Sequence, residues 1–396
     1  MLPLLLIFVL IIVLIRLKVP IGIAMFAGAL FLGIWNFGLT GEFWTLIYQS
    51  LINLNSWKLV LTVALILSFA NMFEMAGFVK SMVRSLESIL PPKWVSRAAP
   101  AIIGLLPMPG GAMVSAPIVR EIGRHDENIK AEMFTASNYW WRHVWEAAWP
   151  LYPSIILAAA VLKISVWKVA VINFPISVIC ILTGLSLRGI GSGSKSGSEV
   201  DLKLLIKSLW PILTIVLLGL ILNIDLIISV LLVMGALYFV KYVNRDAVLA
   251  SLKRGFSPEI IFLIFGVMTL MYAMEKTGTA AIFYGELLDL RIPSALVAFA
   301  VPFAVGVLTG VTSAYIGVGF PVIFPLLGTE TLTFNAGMLL AFAGGFMGVM
   351  ASPVHLCLVL TSRYFKASIG LTLLRLAPII VATSLLSWLL ALGLYR

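Results

Sequence analysis

Along this sequence, apolar runs of about 18–25 residues alternate with short charged stretches, the length a helix needs to cross a bilayer. The pattern predicts ten crossings, over Leu2–Leu17, Val19–Phe37, Lys58–Phe78, Met133–Leu162, Trp167–Leu187, Leu205–Leu222, Ile224–Val240, Glu259–Lys276, Gly337–Leu360 and Ile369–Leu394. Two further apolar stretches, Ala98–Val119 and Ala295–Leu327, are interrupted in the middle by LLPMPGGAMVS and LTGVTSAYIGVG. A continuous helix tolerates such interruptions badly. Two half-helices meeting at a small-residue tip accommodate them, because irregular backbone at membrane depth survives where protein or a water-filled cavity satisfies it. Both stretches are therefore predicted to be re-entrant hairpins in an all-α polytopic membrane protein.

Composition narrows the picture. Hydrophobic residues make up 61% and charged residues 11% of the 396 residues, and mean hydropathy is +1.09. No polar surface can be built from that mixture, so soluble enzymes and nucleic-acid binders are excluded as descriptions of the whole chain. The formal charge of +10 is assigned to loops. With ten crossings and two hairpins that turn back, 19 Lys and Arg fall on one side and 6 on the other. That bias puts the first side in the cytoplasm and both termini outside, in a bacterial-type inner membrane. The N-terminal run MLPLLLIFVLIIVLI lacks a basic n-region and a small-residue cleavage site, and is read as a retained span. Cys180 and Cys357 show no CxxC or Cys/His spacing, so no disulfide, metal or cofactor is expected from them. GSGSKS at Gly191–Ser196 lacks the glycine that a phosphate-binding loop requires before its lysine.

The two halves of the chain resemble each other at an offset of 201 to 204 residues. MFEMAG at Met72–Gly77 recurs as AMEKTG at Ala273–Gly278, which aligns Glu74 with Glu275, and PAIIG at Pro100–Gly104 recurs as PFAVG at Pro302–Gly306. Pro117 matches Pro321, Pro150 matches Pro353, and Lys163 and Ser165 match Lys366 and Ser368. Five crossings per half is odd, so the repeats are predicted to have opposite topology, the sequence pointer to a secondary transporter. The expected organisation is a scaffold half over 1–97, a transport half over 98–188 and a linker over 189–202. A second scaffold half over 203–294 and a second transport half over 295–396 follow. Within these lie hairpins 98–119 and 295–327 and broken helices 133–162 and 337–360. Amphipathic stretches at Lys80–Ile89 and Ala281–Leu290 are expected to lie at the interface.

The span Met133–Leu162 carries most of the candidate chemistry. Arg142 lies about ten residues in, roughly 15 Å deep at 1.5 Å per residue, where an unpaired charge is costly. Glu146 at i+4 and Asn138 at i−4 share its face and can pair with it. Either the Arg142–Glu146 pair is a structural strut, or Arg142 helps bind an anion while Glu146 orients it or takes a proton. His143 adjoins them and titrates near neutral pH when unperturbed. Trp140, Trp141, Trp145 and Trp149 line a cavity or pack the helix. Pro150 and Pro153 break the span, and Gly344–Pro353 is the matching break, followed by His355. Backbone groups freed at the hairpin tips (Pro109, Gly110 and Gly111; Thr309, Gly310, Thr312 and Ser313) and at the second break (Gly344 and Gly345) are the candidate ligands. Ser115 and Ser352 can add hydroxyls. Glu74 and Glu275 either carry protons or anchor helix ends.

The motifs GLLPMPGGAMVSAPIV (Gly104–Val119) and NYWWRHVWEAAWPLYP (Asn138–Pro153) resemble the prokaryotic integral-membrane family known as domain of unknown function 401. That family is grouped with divalent-anion/sodium symporters, TRAP-type large permease subunits and gluconate permeases. The resemblance implies two re-entrant hairpins, two broken helices, an elevator motion and a homodimer. The tips PMPGG and TGVTSAY differ from the Ser-Asn-Thr tips of the sodium-dicarboxylate branch. The sequence therefore leads to the expectation of a Na⁺- or H⁺-coupled transporter, not an enzyme, for a small anion such as an organic carboxylate. A lipid-phosphate translocase and a membrane-embedded hydrolase built on Ser115, His143 and Glu146 stand as alternatives.

Overall fold

The computed structural model describes residues 2–108, 110–124, 129–191, 201–329 and 331–394. Most of the predicted linker, together with Pro109, lies outside them. The described residues are helical almost throughout, and their helices occur in the same order twice.

The first half runs Leu2–Arg16, Ile21–Phe37, Gly41–Ile52, Leu54–Met75 and Phe78–Ile89. A hairpin of Pro92–Ile103 and Ala112–Ile122 follows, then the broken helix Ala131–His143 and Pro153–Leu162, then Val166–Gly184. The second half opens with Leu202–Val216, continued by a π turn over Leu217–Ile221, and then Leu226–Phe239, Arg245–Gly255, Pro258–Thr277 and Thr279–Asp289. Its hairpin runs from Ser294–Thr309 through short helical pieces that end at Leu326. The broken helix Phe334–Met350 and Leu356–Phe365 and the last helix Ile369–Leu394 complete it. Among the described residues five helical stretches are long and apolar enough to cross a membrane: Gly41–Met75, Val166–Gly184, Leu202–Ile221, Arg245–Thr277 and Ile369–Gly393. This is a multi-pass membrane protein. The other predicted spans are shorter helices, several because they are the separate pieces of a broken one.

Residues that recur between the halves hold equivalent places in the fold. Glu74 and Glu275 each lie three residues before a glycine with φ of 78° or 64°. Gly77 and Gly278 donate their amides to the carbonyls of Glu74 and Glu275, so the recurrent motif is a left-handed helix stop. Lys163 and Lys366 also sit at positive φ, 55° and 56°, as the stops of Pro153–Leu162 and Leu356–Phe365. Ser165 accepts an amide bond from Lys168 and Ser368 from Leu371, starting the next helix in each half.

The counterpart helices Leu54–Met75 and Pro258–Thr277 bring opposite ends to one place. Lys58, at the start of Leu54–Met75, and Glu275, at the end of Pro258–Thr277, line one cavity of about 810 Å³. Each hairpin turns back to the side it entered. A Cβ on Gly191 would meet both Pro92 and Ile122, the two open ends of the first hairpin. Ser294, at the start of the second, lies 3.3 Å from Thr331, just beyond its end.

Two helices escaped the hydropathy pattern, Gly41–Ile52 and Arg245–Gly255. Each precedes the third long helix of its half and is amphipathic or charged. In GEFWTLIYQSLI, Phe43, Leu46 and Ser50 are buried while Trp44 and Tyr48 are exposed, an interfacial arrangement in which amphipathic aromatics are favoured.

Candidate functional site

The first broken helix stops at His143 and resumes at Pro153. Pro153 lacks an amide proton and fits the first turn of the new helix, while the nine residues between form turns. Arg142 and His143 occupy the last turn of Ala131–His143, where the helix dipole favours positive charge.

Arg142 is only 3% exposed. Its Nη2 donates to the carbonyl of Leu106 in the first hairpin tip at 3.0 Å. Its Nη1 donates to the Tyr152 hydroxyl at 2.8 Å, and that hydroxyl donates to the carbonyl of Gly104 at 2.6 Å. The guanidinium thus ties both sides of the break to the hairpin. Its Nε has no hydrogen-bond partner. Gly104 and Gly111 permit the approach. A Cβ on Gly104 would lie 2.4 Å from the Arg142 carbonyl, and one on Gly111 2.5 Å from Nη2.

The expected Arg142–Glu146 ion pair does not form. An i,i+4 pair requires helix between its members, and the helix ends one residue after Arg142. Glu146, 6% exposed, turns to the other half of the molecule. Its Oε1 accepts the Thr312 hydroxyl of the second hairpin tip. Its Oε2 lies 3.8 Å from His143 Nε2.

The second tip is compact. Gly310 has φ 65° and its carbonyl meets His355 Nδ1 at 2.7 Å. Thr309 Oγ1 donates to Val305 O at 2.7 Å and accepts the amide of Val311 at 3.3 Å. Ser352, in the second break, donates to Val307 O at 2.7 Å. His355 then reaches across: its Nε2 is 3.3 Å from the Nε2 of His143. Tyr139 meets the His143 ring edge-on and the His355 ring at a tilt, and its hydroxyl contacts the carbonyls of Val349 and Met350 at 3.3 and 3.4 Å, beside the second break. The four interrupted elements therefore converge on one buried polar cluster, with Arg142 and Tyr152 at the first tip and Glu146, Thr312 and His355 at the second.

The other predicted residues take supporting places. Asn138 donates to Ala112 O at 2.9 Å, and its Oδ1 has no partner. Ser115 donates to Ala112 O at 3.2 Å. A Ser115–His143–Glu146 relay is not assembled, since Ser115 bonds to backbone and His143 Nδ1 is on Tyr139 O at 2.6 Å. Gly344 and Gly345 let the second broken helix pack closely: a Cβ on either would meet Phe299 O or the Tyr315 ring at 2.2 Å. Gly110, with φ 71°, makes the turn of the first tip, and Ser313 is half-buried in the second. Trp140 donates to Cys180 O at 3.0 Å, and Trp141 lies near Arg97, so both pack the helix. Glu275 pairs with Lys163 at 3.1 Å in the wall of the 810 Å³ cavity, 56% and 61% exposed respectively.

Tyr152 and Tyr139, not singled out in the sequence, complete the cluster together with Cys357, whose spacing gave no sign of a ligating role. The ligand atoms of His143, His355 and Cys357 lie within 4.8 Å of one another, the one group with metal-ligating character among the described residues. No spacing rule joins residues 212 positions apart, as the two histidines are.

The family model described as "Protein of unknown function (DUF401)" matches residues 2–394. Among solved structures, the chain is similar to the Alcanivorax borkumensis YdaH transporter, whose structure is described as revealing an unusual topology. The likeness covers 90% of each chain, with a TM-score of 0.63 and 14% identity, so the two share a fold. No curated protein matches the chain.

Proposed function

The chain belongs to the DUF401 family, and on that premise we propose that it is a secondary active transporter of a small anion, such as an organic carboxylate, coupled to Na⁺ or H⁺. The observation that carries this reading is the buried Arg142. A guanidinium that spends donors on a hairpin carbonyl and a tyrosine, yet keeps Nε without a partner, is a preformed anion anchor. It stands where interrupted helices converge, the arrangement that membrane carriers use for charged cargo. Likeness of fold to the YdaH transporter agrees with it.

In this reading, the hairpins, broken helices and last helices of each half, 98–188 and 295–396, move as one body past a scaffold of 1–97 and 203–294. The outer cavity supports that division. Its walls come from the ends of Leu54–Met75, Leu226–Phe239 and Pro258–Thr277 on one side and from Ile156, Ala159, Ala160 and Lys163–Trp167 on the other. The cluster at Arg142 and Glu146 contributes nothing to the lining of this cavity. We read the arrangement as an occluded site beside an open vestibule, with lysine-rich loops in the cytoplasm, both termini outside and a homodimer formed through the scaffold. Glu146 takes the coupling role: its carboxylate is held by a hairpin hydroxyl and faces His143, so a proton or Na⁺ arriving there changes how the second tip is held.

The test is uptake by purified protein in proteoliposomes. Labelled small carboxylates and inorganic anions are offered under imposed Na⁺ or pH gradients. The expected result is gradient-driven accumulation of at least one anion, abolished in Arg142→Gln. Absence of gradient-dependent uptake across the panel overturns the proposal.

A further inference from the structure

His143 and His355 confront each other at the centre of the molecule with 3.3 Å between their Nε2 atoms. Each has its Nδ1 on a backbone carbonyl, Tyr139 O at 2.6 Å and Gly310 O at 2.7 Å. A carbonyl only accepts, so each Nδ1 carries the proton and each neutral ring presents a bare lone pair at Nε2. Two lone pairs aimed at one another in a buried place need an electrophile between them. Cys357 supplies a third donor, its sulfur and one ring nitrogen of each histidine lying within 4.8 Å of one another. That sulfur lies beside the backbone of Gly110 and Ala112 of the first hairpin.

We propose that His143, His355 and Cys357 form a binding site for a d¹⁰ metal ion, with zinc(II) as its representative. Nitrogens each 2.0–2.1 Å from a tetrahedral ion stand about 3.3–3.4 Å apart, and the observed separation is 3.3 Å. Bonds from Nδ1–H to backbone carbonyls are the outer-shell contacts that fix the tautomer of metal-bound histidines. Glu146 Oε2, 3.8 Å from His143 Nε2, is the fourth donor after a small side-chain shift. Thiolate and imidazole together select zinc(II) or copper(I) over magnesium or calcium. The ligands come from the first break, the second break and the helix that follows it, so the ion would pin the two repeats to each other. The site shares His143 and Glu146 with the coupling role proposed above, but its test does not depend on whether the protein carries anions.

The full chain, purified in detergent and stripped with a chelator, is titrated with cobalt(II) as the spectroscopic stand-in for zinc. The expected result is one equivalent bound per chain, with the intense d–d bands of tetrahedral cobalt and a thiolate-to-cobalt charge-transfer band, both removed by zinc. Cys357→Ser loses the charge-transfer band, Cys180→Ser keeps it, and His355→Gln weakens cobalt binding at least ~10-fold, as loss of a ligand should. Zinc raises the thermal midpoint of the wild type and of Cys180→Ser but not of Cys357→Ser. Should Cys357→Ser fail to fold, the band in the wild type and in Cys180→Ser assigns the sulfur, because the chain has two cysteines. A weak octahedral cobalt spectrum, no binding, or a charge-transfer band lost in Cys180→Ser overturns the proposal.

Discussion

The two broken helices share a backbone plan and differ in almost every side chain that faces the centre. In the first half, Gly104 of the hairpin packs on the backbone carbonyl of Arg142; in the second, Gly306 packs on that of Gly345, at the same 2.4 Å from an ideal Cβ. At the repeat offset, Asn138, Arg142, His143 and Glu146 correspond to Ala341, Gly345, Phe346 and Val349. The space that Arg142 fills beside the first tip is taken in the second by Tyr315, whose ring abuts Gly345. Tyr152 corresponds to His355, and each binds a carbonyl of its own hairpin, Gly104 or Gly310. The repeat therefore supplies geometry twice and charge once. A single buried guanidinium needs its partners within reach, and placing a second one across the pseudo-symmetric cluster would add like-charge repulsion to desolvation.

This comparison can be broken most sharply at Arg142. Arg142→Gln is expected to lower anion uptake at least ~100-fold, and loss of the two charge-assisted bonds to destabilise the protein by about 1.5–3 kcal/mol per bond at most. Uptake in proteoliposomes and thermal unfolding in detergent measure the two effects. Gly345→Ala, at the equivalent position, is expected to act through packing alone. Its methyl meets the Tyr315 ring, costing about 1–3 kcal/mol, and Tyr315→Ala in the same chain should recover part of that loss. Equal effects of Arg142→Gln and Gly345→Ala on uptake, after correction for folded fraction, would erase the distinction between the halves.

The shared backbone plan is tested by Gly104→Ala and Gly306→Ala. Both put a methyl against a carbonyl that cannot move aside, so both should destabilise by a similar amount, about 1–3 kcal/mol. Thr312→Val removes the hydroxyl that holds Glu146 and leaves the carboxylate short of a buried donor, at about 1–3 kcal/mol. It should also change the dependence of uptake on the coupling ion while Arg142 stays in place.

The smallest effect is expected at the outer rim. Burial there raises the pKa of Asp225, but hydrogen bonds from Lys58, at 2.9 Å, and from the Ile227 amide outweigh it and hold the carboxyl below its ordinary value. A depressed folded-state pKa contributes stability above the unfolded-state pKa, and that contribution is lost as pH falls through the folded-state value. Lys58 and Asp225 are 62% and 39% exposed, so Asp225→Asn should cost no more than about 1 kcal/mol near neutral pH and less in high salt. The difference between the two proteins should vanish under acid conditions in a pH series of unfolding curves.

Much of the architecture was legible in the sequence because hairpin tips and helix breaks need glycine and proline, and those residues stand in matching places in the halves. The helix Gly41–Ile52 was not legible, since its mixed face gives neither a span nor a clean polar loop. Arg142 and Glu146 are both buried, but their pairing was read as if the helix continued up to Pro150, and it ends at His143. The break separates them by turning one toward each hairpin. Cys357 and Tyr152 carry no signal in isolation. They acquire roles only when the two repeats fold against each other, a relation that lies in the third dimension and not in spacing.

The central claim is that one anion sits between the hairpin tips and is held by the chemistry of the first half alone. An experimental structure determined with a transported anion tests it directly. Ligand density between Gly110 and Thr312, within hydrogen-bond reach of the Arg142 guanidinium, is the predicted result. Density confined to the outer cavity beside Lys58 and Lys163, with the tips unchanged and Arg142 untouched, would contradict it.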